Sequence, residues 1–193
     1  MRYGANHKQQ TRGRIVRAAA RRFRSRGGEG AGIGDLMHDL RLTHGGFYRH
    51  FKSKERLFVE AFEQALKEAG DRMTKAIEQA PRGSELQALI DGYLDIAHVN
   101  DMAGGCPVAA LASEVARRPQ GAREPFLQAL RAHVRRMEQY IPAENHERRR
   151  QKAISLLTGM AGTLTVARAF TEEHDQRAIL DAAKKFYLVA ARA

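Results

Sequence analysis

Between Ser53 and Gln79 the apolar residues Leu57, Phe58, Ala61, Phe62 and Leu66 follow one another at steps of one, three and four. All five share one side of a helix, and on a strand they would fall on both faces. Ser53 fits the N-cap, where its hydroxyl can accept a backbone N–H of the first turn. The same spacing recurs along nearly the whole chain in stretches rich in Ala, Leu, Arg, Glu and Gln, and alternation of the strand type is hard to find. The expected fold class is therefore all-α. About nine helices are expected, near 8–25, 33–40, 44–50, 53–79, 85–101, 107–117, 122–140, 144–169 and 174–192. They are separated by "RGGEGAG", Arg41-Leu42-Thr43, "APRGS", "GGCP", "RRPQG", "IPAEN" and "TEEHD", in which Gly, Pro and small polar residues cap or stop helices. No internal repeat and no low-complexity linker interrupts the series.

Charge divides the chain unevenly. Residues 1–58 carry 14 Lys and Arg against 4 Asp and Glu, a net of +10, whereas the other 135 residues hold 19 against 18. A cationic head on a nearly neutral body suits a polyanion, either nucleic acid or an anionic membrane surface. The membrane-surface reading needs a strong apolar face on the first helix, and Ile15, Ala19 and Phe23 make only a narrow one that the head needs for its own core. No run of about 18 apolar residues appears, so no membrane span is expected. The basic start "MRYGANHKQQTRGR" is followed by no apolar stretch, and the single cysteine allows no internal disulfide. The expected compartment is the cytoplasm.

Within the head, two short helices joined by three residues and packed on a basic first helix form a helix-turn-helix, whose second helix, residues 44–50, enters the DNA major groove. Gly45 and Gly46 each weaken a helix by about 1 kcal/mol relative to alanine. A missing Cβ at both lets the backbone approach phosphates and base edges closely. Thr43 sits at the N-cap, where its hydroxyl and the free N–H groups after it can bind phosphate. His44 is the first side chain placed to reach a base edge, and the Tyr48 hydroxyl suits phosphate. Phe47 and Phe51, four apart, are expected to pack inward. His50 and Lys54 lie at the far end, where Lys54 opposes the dipole of the next helix unless a phosphate is near.

The stretch "IGDLMHDLRLTHGGFYRHFKSKERLF", residues 33–58, resembles the helix-turn-helix signature of the TetR/AcrR family of transcriptional regulators, in its LTHGGFY variety. The resemblance implies a TetR-like fold, a homodimer that places one head per protomer on double-stranded operator DNA, and a helical body that binds a small effector. By motif position it implies DNA contacts at Thr43, His44, Gly45, Gly46, Tyr48, His50 and Lys54. It divides the chain into a DNA-binding domain of residues 8–68 and a ligand-binding and dimerisation domain of 69–193. Two positions depart from the family pattern: Arg41 stands where glycine is usual in the turn, and Gly32 where threonine is usual at the start of the preceding helix. A left-handed Arg41 would carry strain.

In the body, "ISLLTGMAGTLTVARAF", residues 154–170, sets Gly159 and Gly162 among larger apolar residues, so that two helix backbones can approach closely. Together with the last helix it is the expected dimer surface, with packing inside one chain as the other reading. Cys106 precedes Pro107 and so falls at a helix N-cap, where the dipole would favour thiolate and hence alkylation or oxidation by an electrophile. The alternative is a small buried residue. "GC" at this place resembles a TetR-family branch that includes regulators of electrophile and oxidant response. For a noncovalent effector, Tyr93, His98, Met102 and Phe126 are the candidate pocket wall. No catalytic constellation can be assembled, since Cys106 and His98 lack a third partner and no HExxH or Cys/His metal spacing occurs. No enzyme, cofactor or metal is expected. The function expected is a DNA-binding regulator, with repression resting on family analogy, and the rival is a basic DNA-binding protein without operator preference or effector.

Overall fold

The structure, a computed structural model, describes the backbone of residues 2–192, with the side chains of residues 2–5 and 29 outside the description. It is all-α. Ten helical elements occur among the described residues: α1 (Arg2–Gly30), α2 (Ile33–Asp39), a 3₁₀ helix (His44–Arg49), α3 (Lys54–Glu78), α4 (Glu85–Tyr93), α5 (Ile96–Asn100), α6 (Pro107–Ala116), α7 (Gln120–Glu138), α8 (His146–Ala167) and α9 (Glu173–Arg192).

Several boundaries differ from expectation. Helix α1 is longer at both ends, and its backbone leaves helical geometry at Gly27 (φ 75°, ψ 164°), inside the glycine run. The next residue, Gly28, donates its N–H to both carboxylate oxygens of Glu114, at 3.0 and 2.8 Å, and a Cβ there would stand 2.6 Å from Phe58. The glycines therefore turn the chain and admit α6 to its backbone. The single helix expected at 85–101 is two. Asp95 accepts the N–H of Ala97 at 2.8 Å and so caps α5, which diverts the backbone that would have continued α4. The recognition segment is a 3₁₀ helix, not an α-helix.

Two apolar clusters form the core. One joins α1, α2, the 3₁₀ helix and the first half of α3 to Leu111 and Phe126 of the body, and the other fills the space among α3, α4, α7, α8 and α9. Rings run across the junction: Phe23 to Phe58 (5.1 Å), Phe58 to Phe126 (5.5 Å) and Phe62 to Phe126 (5.4 Å), with the Arg118 guanidinium 4.0 Å over Phe58. Arg118 also pairs with Glu55 of α3. Head and body thus share α3 and the first of these two clusters.

Candidate nucleic-acid interface and body cavity

The turn before the recognition helix is set by how α2 ends. Arg41 donates its N–H to His38 O (2.9 Å) and Leu42 donates to Met37 O (2.8 Å), the bond pair of a Schellman cap. This cap requires a left-handed residue at position 41, and Arg41 has φ 58°. The sequence departure is thus accommodated by strain and leaves the turn intact, at a cost of about 1–2 kcal/mol for a residue bearing a Cβ.

Thr43 caps the 3₁₀ helix, its Oγ1 accepting the N–H of Gly46 at 3.2 Å. Phe47 and Phe51 are buried and stacked at 5.6 Å, as their spacing suggested. Tyr48 stands outward, 64% exposed, with its ring edge-on to Phe47 and to His44. The two glycines differ. A Cβ at Gly45 would meet nothing within 4 Å, so no contact inside the chain demands glycine there. A Cβ at Gly46 would lie 3.2 Å from the Thr43 hydroxyl and 3.8 Å from Met37, so Gly46 is also a packing residue.

Beside this helix runs a groove of about 650 Å³ lined by His7, Lys8, Thr11, Met37, Arg41, Leu42, Thr43, Gly46, Arg49 and His50. It has no carboxylate in its wall. Elsewhere in the head some cations are paired, Arg22 with Asp35 and Asp39, Arg12 and Arg56 with Glu60, and Arg24 with Glu68. Lys8, Arg41 and Arg49 make no ion pair among the described residues. Burial, then Lys8, Arg12 and Arg49, lower the pKa of His50, whose Nδ1 is buried without a hydrogen-bond partner among the described residues. Of the seven residues expected at DNA, the groove takes Thr43, Gly46 and His50; His44, Gly45 and Tyr48 form the exposed rim, and Lys54 begins α3, partly exposed, outside the groove. Sequence reasoning missed His7, Lys8 and Thr11. Their spacing on one side of α1 was the available signal.

A second cavity, about 360 Å³, lies in the body among α3, α4, α7, α8 and the 97–106 segment. Tyr93, His98 and Cys106 line it, whereas two residues expected in its wall do not. Met102 is 42% exposed on the surface, and Phe126 is buried in the ring stack at the head-body junction. Cys106 is the N-cap of α6, with its side chain buried and making no cap hydrogen bond. His98 is fully engaged: Nδ1 donates to Tyr93 O at 2.7 Å and Nε2 accepts the Cys106 N–H at 2.9 Å, which fixes a neutral tautomer. Burial lowers its pKa as well. Burial, then the neighbouring Cys106, raise the pKa of Tyr93 well above its ordinary value.

Three arginines grip the segment beside this cavity. Arg24 of α1 donates through Nε to Ala103 O (2.6 Å), Arg72 of α3 to Gly104 O (2.5 Å), and Arg168, just past α8, to the carbonyls of Val99, His98 and Asp101 at 3.1, 2.9 and 3.2 Å. No cluster of three or more His, Cys, Asp or Glu suited to a metal ion occurs among the described residues. No helix of the described residues is long and apolar enough to cross a membrane.

A cationic helix-turn-helix head sharing one long helix with a hollow helical body defines a class of one-chain helix-turn-helix proteins with an attached cavity domain. Residues 15–61 match the profile "Bacterial regulatory proteins, tetR family", and residues 83–185, more than half of the chain, match "Tetracyclin repressor-like, C-terminal domain". The chain belongs to the TetR family of bacterial transcriptional regulators. It is 33% identical over 108 residues to an uncharacterized HTH-type transcriptional regulator of Mycobacterium tuberculosis, covering 55% of this chain and 54% of that protein. It is 40% identical over 83 residues to the A-factor receptor protein of Streptomyces griseus, covering 43% and 27%. The chain spans about half the length of the first of these curated relatives and about a quarter of the second. A TetR transcriptional regulator from Chloroflexus aurantiacus superposes with a TM-score of 0.74 at 25% identity, over 94% of each chain.

Proposed function

We propose that the protein is a cytoplasmic, homodimeric repressor that binds a roughly palindromic operator and releases it when a small effector enters the body. Residues 8–68 read DNA; residues 69–193 dimerise and take the effector. The observation that carries the reading is the carboxylate-free cationic groove running beside an exposed rim of His44, Gly45 and Tyr48. Cations in the groove hold phosphates, and the rim reaches base edges. Thr43, Gly46, His50 and Lys54 complete the contact set by their place around it.

Dimerisation is supported by a stripe on α8, Ile154, Thr158, Gly162 and Val166, all exposed and four apart, and by Ala182, Phe186 and Val189 exposed on α9. A Cβ at Gly162 would meet nothing, so that helix can be closely approached, whereas Gly159 is filled by Tyr187 of the same chain. The effector's route to DNA is the arginine grip: a molecule in the cavity displaces the 98–106 segment, which Arg24 ties to α1 and Arg72 to α3, and the heads change separation. The name of the A-factor receptor, a relative over part of its length, agrees with a receptor role for the body.

Selection of bound duplexes from a random pool tests the reading. An enriched palindrome, bound at least a thousandfold better than random duplex, is expected; equal binding of all duplexes would leave only a non-regulatory basic protein. One observation favours covalent release as a second route: Cys106, though buried, lines the cavity, so a reagent entering it meets the thiol. N-ethylmaleimide should then free operator from the wild type and leave Cys106→Ser bound, and equal release from both removes this route.

A further inference from the structure

The body cavity is walled mainly by carbon and sulfur, with Met73, Leu89, Met137, Leu157 and Met160 among its residues. Thioethers adapt their shape to an occupant, and about 360 Å³ lies near the lower end of the roughly 300–1,000 Å³ range of ligand sites. Its only charged side chains are Arg72 and Asp101, opposite in sign and both exposed. Arg72 already donates to the Gly104 carbonyl.

The polar groups of the inner wall are not equivalent. Both ring nitrogens of His98 are occupied, and the Tyr93 hydroxyl is buried facing the Cys106 thiol. His133 of α7 is different. It is 8% exposed, lines the cavity, and neither of its nitrogens has a hydrogen-bond partner among the described residues. Burial, assisted by Arg136, lowers its pKa to about 4, so at neutral pH it offers one N–H, one lone pair and no charge. An anion placed here would be desolvated, and the cation that acts on His133, Arg136, is already paired with Asp71 at 3.0 Å.

We infer that the cavity takes a compact, uncharged, mainly apolar molecule carrying one carbonyl or hydroxyl oxygen, held by a hydrogen bond to the His133 imidazole, and rejects carboxylates and phosphates of the same shape. This rests on the proposal that the body holds the effector site. The test titrates the intact protein at pH 7.5 with two isosteric pairs, 4-phenyl-2-butanone against 3-phenylpropanoate and 2-nonanone against octanoate, by calorimetry and thermal shift. Both ketones should bind and raise the melting temperature, and each carboxylate should bind at least tenfold more weakly. His133→Leu should weaken the ketones roughly five- to tenfold, the usual worth of one hydrogen bond. His133→Gln, which keeps a neutral donor and acceptor, should restore most of that loss and guards against a Leu variant that fails to fold. Carboxylates binding as well as ketones, neither series binding at millimolar concentration, or a folded His133→Leu with unchanged ketone affinity would each overturn the inference. Operator binding by the same preparation is read in parallel: its survival without ketone binding overturns the ligand class alone, whereas its absence beside intact ketone binding overturns the regulatory role instead.

Discussion

Arg41 and Gly45 are opposite misfits to local preference: one puts a Cβ where the backbone wants none, the other omits a Cβ where there is room. Arg41→Gly should raise stability by about 1 kcal/mol in chemical denaturation, since relief of left-handed strain outweighs the extra freedom of the unfolded chain. Gly45→Ala should leave the melt unchanged or raise it by about 0.5 kcal/mol, yet weaken operator binding at least tenfold by anisotropy; unchanged affinity would show that the open space is not used by DNA. His133 sets a pH dependence. Its folded pKa of about 4 lies below the ordinary 6.5, so the unfolded chain binds the proton more tightly. The stabilisation is complete above about pH 6.5 and is lost as pH falls toward 4, by up to about 3 kcal/mol. Melts of wild type and His133→Leu between pH 7.5 and 4.5 should diverge in slope, the variant keeping the smaller part that His98 and His50, shifted the same way, supply. The Thr43 cap and the inward Phe47 and Phe51 could be read from sequence because they follow from neighbours a few positions away. A lone histidine on a long polar helix gives no such sign, since only the packing of α3, α4 and α8 decides that His133 is enclosed.

Among the helices, α3 was readable in full because its apolar spacing, its Ser53 cap and its length agree. The break between α4 and α5 was not, because Asp95 looks like any exposed carboxylate until its side chain is seen to cap the next turn. Phe126 was misplaced for a related reason: its size marks a buried residue but not which of two apolar clusters receives it. The arginine grip is hidden more deeply, since Arg24 binds a backbone carbonyl 79 positions away and a carbonyl has no sequence identity. Arg24→Gln shortens the side chain and should detach α1 from the 98–106 segment. Hydrogen exchange read by mass spectrometry should quicken in both residues 22–28 and 98–106 while α9 keeps its wild-type rate. Acceleration in one stretch only would mean that the contact does not couple them.

For the proposed dimer on DNA, the groove gives a number. If Lys8, Arg41 and Arg49 of each protomer neutralise one phosphate apiece, log affinity should fall with log salt at a slope of about −5. Lys8→Gln, removing one contact per protomer, should reduce that slope by about 2. A slope near zero would place the groove away from the duplex. The ring stack from Phe23 through Phe58 to Phe126, with Arg118 laid across it, bears on attempts to recombine this protein with its relatives. A reading module cut from one regulator and joined to another's sensing module would meet a foreign surface at that seam, so a working chimera must carry over the docking residues of α6 and α7 with the transplanted piece.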